Sequence, residues 1–190
     1  MTPKLVHQIW LGPQRPHIEF HRELAIKNPD YSVVLWRERD LIGLGVDLNG
    51  LYDKFWSHAS VSNMLRLMIV KKYGGFYLDM DMEPIKPIDC LRQVYGNAAA
   101  ADQGDGRICN AFFNAPPDHP WVNWQIEHGA GDCNPHDAAW GVYTMTKAPR
   151  YGLYLVPTEL VYPFHYDAVD KSVGENAVLV HHWDGSWTKK

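Results

Sequence analysis

Tyr73-Gly74-Gly75-Phe76-Tyr77-Leu78-Asp79-Met80-Asp81 is the stretch around which the chain is organised. A double glycine ends one element, three strand-forming residues follow, and two carboxylates arrive two positions apart. In an extended chain residues i and i+2 project from the same face, so Asp79 and Asp81 are expected to converge on one point. Hard oxygen ligands paired just past a strand suit a divalent cation such as Mn²⁺ or Mg²⁺. An Asp-X-Asp triplet by itself is most often a solvated turn. The glycines and aromatics before this one give it its weight.

Upstream, Ser57 to Tyr73 reads as a helix. Ser57 or Ser60 can cap its start, Lys71 and Lys72 suit the negative end of its dipole, and Gly74 suits its C-terminal cap. Val61, Met64, Leu65, Leu67, Met68, Ile69 and Val70 make it apolar almost all round, as in a buried helix. Asn63 and Arg66 stand inside this apolar run, three apart and so on one face. A buried Arg needs a partner. Two readings follow: a pairing with a core carboxylate, or an Arg facing an anionic ligand in the pocket of Asp79 and Asp81.

The remaining chain supplies a scaffold. Lys4 to Trp10 reads as a first strand, Glu19 to Lys27 as an amphipathic helix, and Tyr31 to Trp36 as a second strand. That rhythm predicts an α/β fold with a mostly parallel sheet flanked by helices. Trp10, at a strand's C-terminal end, is a candidate stacking platform or a core aromatic. His7 and Gln8 are either satisfied core polar groups or part of the pocket edge. Asp40 to Trp56 reads as short helical turns. Met82 to Ile88 is extended and punctuated by Pro. Asn97 to Asp102 and Ile108 to Asn114 are strand candidates joined by the turn Asp102-Gln103-Gly104-Asp105-Gly106. A helix spans Trp121 to Glu127, with Asp118 or His119 near its cap and Pro120 early in it. Another helix is expected over 137–147, a strand-and-turn region over 153–164, and a final strand from Ala177 to His182. No repeat or linker divides the chain, so one domain over residues 1–190 is expected.

Composition narrows the function. The 190 residues carry a net charge of −4, which does not support electrostatic binding of nucleic acid. Eight Trp and ten Tyr serve a core, and such residues also line sites that stack sugars or bases. Three cysteines without CxxC spacing point to reduced thiols and a cytoplasmic setting rather than a disulfide framework or a zinc site. No apolar run reaches the length of a membrane span, and the N-terminus lacks the apolar core of a signal peptide.

Several stretches, in order, resemble the DXD-containing sugar-transfer family typified by glycosyltransferase family 32. They are Pro3 to Trp10, Ser62-Asn63-Met64-Leu65-Arg66, Tyr73 to Asp81, Asn110-Ala111-Phe112-Phe113, Asp118-His119-Pro120 and His181-His182-Trp183-Asp184-Gly185-Ser186-Trp187. The resemblance implies a Rossmann-like GT-A domain that binds a nucleoside-diphosphate sugar, a uridine donor by preference, with Mn²⁺ or Mg²⁺, and transfers a hexose to a glycan or other hydroxyl acceptor. It implies that Asp81 is a direct metal ligand and that Asp79 holds the ribose or donor sugar while assisting the metal. His182 becomes the third protein ligand, with His181 the second choice. Arg66 would contact the donor sugar or diphosphate, Trp10 the base, and Trp187 the diphosphate on a closing tail. Gln8, Asn63 and Asn110 join the donor site. The family's helix motif reads Ser-Asp-x-x-Arg. Position 63 is Asn here, which can bond hydroxyls but cannot act as a base. The short chain suits a minimal viral or bacterial enzyme, or a module of a longer protein.

Retention at the anomeric carbon is also implied. It requires a carboxylate on the far face of the sugar, for which Asp137 is the candidate (its alternative is a helix N-cap), or a front-face route. A histidine ligand must be neutral, so activity is expected to fall on acidification. Lys189 adds charge to the tail or is merely solvated there. Two other readings compete: a nucleotidyltransferase or phosphohydrolase, which lacks its Gly-rich loop in Leu11-Gly12-Pro13-Gln14-Arg15-Pro16, and a sugar-binding module weakened by Asn63.

Overall fold

The computed structural model describes residues 1–12, 17–129 and 139–184. Its elements in chain order are β1 (Leu5–Ile9), α1 (Ile18–Lys27), β2 (Ser32–Trp36), α2 (Glu38–Gly43), α3 (Leu48–Phe55), α4 (His58–Tyr73), β3 (Gly75–Leu78) and β4 (Met82–Pro84). They continue as α5 (Asp89–Tyr95), β5 (Ala99–Asp102), β6 (Ile108–Ala115), α6 (Pro120–His128), α7 (Trp140–Lys147), β7 (Tyr154–Val156), α8 (Thr158–Val161) and β8 (Leu179–His181).

Six strands form one sheet in the order β2-β1-β3-β6-β5-β7. The β1–β2, β1–β3 and β5–β7 pairs are parallel, and β6 runs against both β3 and β5. Five strands therefore share one direction, and the expected mostly parallel α/β sheet is present. Its strands alternate residues between two cores. Ile9, Tyr77, Ala100 and Phe113 face one with α4, α6 and α7, while Val6, Phe76, Leu78, Ala101 and Phe112 face the other with Leu24 of α1. Burial on both faces matches the near-continuous apolar runs of the central strands, such as Phe76-Tyr77-Leu78 in β3 and Ala111-Phe112-Phe113 in β6. No helix among the described residues is long and apolar enough to cross a membrane.

Helix α4 is buried nearly all round, from Val61 to Val70. The Ser57 hydroxyl accepts from the Ser60 N–H and caps its start. Gly74 and Gly75 follow with φ of +63° and +103°, where a side chain is strained. Space excludes one too: a Cβ on Gly75 would lie 2.7 Å from the Leu5 carbonyl oxygen, and one on Gly74 would strike Pro117 and Pro3. These two residues let the chain leave α4 and enter β3 directly against β1.

Two regions differ from the sequence-based expectation. The final strand is shorter than Ala177–His182, and β8 does not join the main sheet; it pairs antiparallel with β4 in a separate ribbon. Helix α5 falls in a stretch to which the sequence pattern assigns no element, whereas the short helical turns expected over 40–56 are present as the end of α2 and α3.

Candidate active site

Asp79 and Asp81 lie beyond the C-terminal end of β3, on the sheet edge where open α/β folds bind ligands. They converge through a turn and not through strand alternation. The Met82 N–H donates to the Asp79 carbonyl at 3.1 Å, closing a tight turn around Met80. The ribbon then completes the arrangement. The His182 N–H donates to the Asp81 carbonyl at 3.1 Å, and the Asp184 N–H donates to Asp81 Oδ2 at 3.0 Å. His181 Nε2 stands 3.2 Å from Asp81 Oδ1. One ligand atom from each of Asp79, Asp81 and His181 lies within 4.8 Å of the other two.

The ring that meets Asp81 is thus His181, the second choice, and not His182. Register explains the difference. Glu83 of β4 pairs with Val180 of β8, and His182 lies two residues beyond Val180 on the same face. Its Nε2 is 2.8 Å from Glu83 Oε2, and its ring stacks on Phe20. His181 takes the opposite face, against Tyr162 and Trp183. Burial alone would raise the Asp81 pKa, but the His181 contact and the Asp184 N–H outweigh it and bring it down to about 2.

Asp79 is fixed from the other side. Arg66 Nη1 stands 3.1 Å from Asp79 Oδ1 and donates to the Asn110 carbonyl at 2.6 Å. Its Nε and Nη2 donate to the Ser62 carbonyl and hydroxyl, each at 3.3 Å. The guanidinium lies over the Tyr77 ring at 4.4 Å, and the Tyr77 hydroxyl donates to Asp79 Oδ1 at 2.7 Å. Burial would lower the Arg66 pKa, yet the Asp79 charge more than compensates and raises it. Burial pushes the Tyr77 phenol well above its ordinary value. Arg66 does have a carboxylate partner, and that carboxylate is Asp79, a residue of the pocket itself.

The other expected site residues divide. Asn110 Nδ2 donates to Asn63 Oδ1 at 2.7 Å, placing this amide pair beside Arg66. The start of α7 closes over it: a Cβ on Gly141 would collide with the Asn110 amide. Gln8 is fully buried below the site. Its amide donates to the Asp79 carbonyl at 3.3 Å, and its Oε1 meets His21 Nδ1 at 2.7 Å. It therefore supports the turn backbone, with both ends of its side chain occupied. Trp10 stands at the end of β1, its backbone N–H bonded to the Trp36 carbonyl. Asp137, Trp187 and Lys189 lie outside the described residues.

Sequence reasoning missed Tyr77, Ser62 and Glu83. Tyr77 was within reach of it, since it lies two residues before Asp79 on the same face of the strand. Glu83 was not, because its partner comes from a ribbon whose register no local pattern announces.

A family model described as "Glycosyltransferase sugar-binding region containing DXD motif" matches residues 15–98. Inositol phosphoceramide mannosyltransferase 3 of Schizosaccharomyces pombe is 29% identical over 133 residues, covering 63% of this chain and 35% of the relative. The Homo sapiens alpha-1,4-N-acetylglucosaminyltransferase is 35% identical over 86 residues, covering 43% of this chain and 23% of the relative. The chain spans a minor part of the length of these curated relatives. Among solved structures, a glycosyltransferase involved in the glycosylation of the major capsid of PBCV-1 aligns over 98% of this chain and 96% of its own, with a TM-score of 0.56 at 12% identity. PaToxG Glycosyltransferase aligns over 76% and 68%, with a TM-score of 0.55 at 17% identity. These two support the fold, and the family match covers both aspartates and the helix before them. Over residues 15–98 the chain is similar to the DXD-motif glycosyltransferase family, and its fold is the GT-A-like fold of these solved glycosyltransferases.

Proposed function

We propose that the chain transfers a hexose from a nucleoside-diphosphate sugar, a uridine donor by preference, to a hydroxyl group of a glycan or similar acceptor, with retention of anomeric configuration. The observation that carries this is the convergence of Asp79, Asp81 and His181 at the C-terminal edge of the sheet, with ligand atoms within 4.8 Å of one another. Two carboxylates and one imidazole form a donor set that fits Mn²⁺ or Mg²⁺, with the nitrogen favouring Mn²⁺. A bound divalent cation supplies Lewis-acid stabilisation of the negative charge that grows on the leaving diphosphate. The relatives' names, a mannosyltransferase and an N-acetylglucosaminyltransferase, support the hexose class.

The chain's own residues then have distinct tasks. Asp81 and His181 present lone pairs to the cation, and His181 does so only as neutral imidazole. Arg66 and the Tyr77 hydroxyl hold one oxygen of Asp79, which orients the carboxylate toward the cation and the donor. Asn63 and Asn110 offer amide groups to donor hydroxyls. Trp10 packs against the base. Asp137 serves as the far-face carboxylate and Trp187 as the diphosphate contact of a closing tail.

Donor hydrolysis with and without Mn²⁺ tests the reading. Turnover is expected to require the metal and to fall by about 10²–10³-fold or more in Asp81→Ala. Metal-independent turnover unchanged in that variant would refute it.

A further inference from the structure

Of the three side chains in the donor set, two are oriented by hydrogen bonds and charge: Asp79 by Arg66 and Tyr77, and Asp81 by the Asp184 N–H. His181 is held differently. Its Nε2 faces Asp81, and its buried Nδ1 has no hydrogen-bond partner among the described residues. An imidazole that ligates a metal is ordinarily fixed by a bond from its second nitrogen. With that bond missing, the orientation of the ring falls to packing.

The ring that packs most closely on it is Trp183. The two ring centroids lie 4.0 Å apart, with the planes tilted by 48°. The indole is itself tied down. Its Nε1 donates to the Phe164 carbonyl at 2.9 Å, and it meets the rings of Tyr162 at 5.6 Å and His165 at 5.7 Å. Buried Tyr162 also meets His181, at 5.7 Å. The backbone adds a second observation. Trp183 has a φ of +56°, where a bulky residue is an outlier. The turn it makes lets the residues on either side grip one aspartate: the His182 N–H donates to the Asp81 carbonyl and the Asp184 N–H to its carboxylate. Glycine would make this turn without strain. A tryptophan there keeps its ring in place against a backbone penalty, as strained residues at functional sites do when their surroundings over-determine them.

We infer that Trp183 is a positioning residue of the cation site: its indole, anchored on Phe164, sets the His181 ring so that Nε2 faces the two aspartates. Packing against an anchored ring thereby replaces the hydrogen bond that ordinarily orients a histidine ligand. This rests on the cation site proposed above.

The test is Mn²⁺ binding to the full chain and to Trp183→Phe, Trp183→Leu and Trp183→Gly. Affinity is read from the electron paramagnetic resonance signal of free Mn²⁺, and the histidine contact from the nitrogen hyperfine coupling of bound Mn²⁺. Phe and Leu meet the same backbone strain and differ in the planar ring, whereas Gly removes strain and ring together. Trp183→Leu and Trp183→Gly are expected to bind Mn²⁺ about tenfold more weakly and to change the nitrogen coupling, with Trp183→Phe much closer to the parent. Should Trp183→Gly fold poorly, the comparison of Phe with Leu decides. A purely structural role would lower stability and leave the coupling of the folded protein as it was. An unchanged nitrogen coupling in Trp183→Leu, or a loss in Trp183→Phe as large as in Trp183→Leu, overturns the inference and leaves the cation site standing. Failure of the parent chain to bind Mn²⁺ overturns the cation site itself.

Discussion

Asp79 and Asp81 stand two residues apart but belong to two different constructions. Asp79 is held by the core. Arg66 of α4 and Tyr77 of β3 grip it, and the Asn110 carbonyl of β6 in turn holds Arg66, on elements that are parts of the central packing. Asp81 is held by a ribbon. Its partners are His181 and the Asp184 N–H, about a hundred residues later, delivered by the short β4–β8 pairing outside the main sheet. One carboxylate is thus built on rigid, fully packed structure and the other on a small appendage. On the proposed function, a site assembled this way would fix the donor through the first arm and adjust the surroundings of a bound cation through the second.

The largest stability effect should come from the core arm. Arg66→Met leaves the Asp79 carboxylate, still held by the Tyr77 hydroxyl, without its counter-charge, and takes the Arg66 donors from the Asn110 carbonyl and the Ser62 hydroxyl. Breaking a buried pair by removing one member costs 3–5 kcal/mol in general. Asp79 retains partial access to water, so roughly 3 kcal/mol is expected here, read as a drop in the urea midpoint. The Asp81→Ala exchange in the ribbon arm should cost far less stability than activity. If Asp81→Ala unfolds the chain and Arg66→Met does not, the contrast between the arms is wrong.

Acid should separate the arms by pH window. His7 belongs to the core side: its Nε2 meets the Gly74 carbonyl at 2.9 Å, and Trp36 Nε1 donates to its Nδ1 at 3.2 Å. That geometry fits only the neutral ring. Burial lowers its pKa from 6.5 to about 4, against the opposing Gly74 bond. The unfolded chain therefore takes up a proton first. Stability is full above pH 6.5 and falls by about 3 kcal/mol on the way to pH 4. His7→Gln should flatten the urea midpoint across that window.

The smaller effect belongs to the ribbon arm and appears at lower pH. The folded pKa of Asp81 is about 2, below its ordinary 3.8. Its contribution is therefore present above 3.8 and lost as pH falls toward 2, about 2 kcal/mol in the metal-free protein. Asp81→Asn should remove that slope and leave the His7 window untouched. A single acid transition insensitive to both substitutions would show that the arms are not independent.

The same contrast governs what could be read from the sequence. The core arm was legible because its parts are close in sequence and follow strong periodicities. The α4 pattern, the glycine pair at residues 74 and 75, and the aspartates form one continuous stretch. The alternation of Phe76, Tyr77 and Leu78 set the strand. A carboxylate partner for Arg66 was one of two readings the apolar helix allowed, without saying which carboxylate. The ribbon arm was legible only in outline. That a histidine returns to Asp81 followed from the resemblance, but which of two adjacent rings does so depends on a register between three-residue strands. A slip of one residue exchanges the faces of His181 and His182. The expected i, i+2 convergence of the aspartates also gave way to a turn, because Met82 bonds back to the Asp79 carbonyl. Glycines, capping serines and apolar periods are local signals, whereas the pairing of Glu83 with His182 is not.

The assignment of the two histidines tests the account most directly. Mn²⁺ titrations of the parent chain, His181→Ala and His182→Ala, followed by the electron paramagnetic resonance signal of free Mn²⁺, compare them under one condition. His181→Ala is expected to weaken Mn²⁺ binding by roughly tenfold or more, while His182→Ala, which loses contacts to Glu83 and Phe20 and none to Asp79 or His181, is expected to stay close to the parent. Loss of affinity in His182→Ala with His181→Ala unaffected would contradict it.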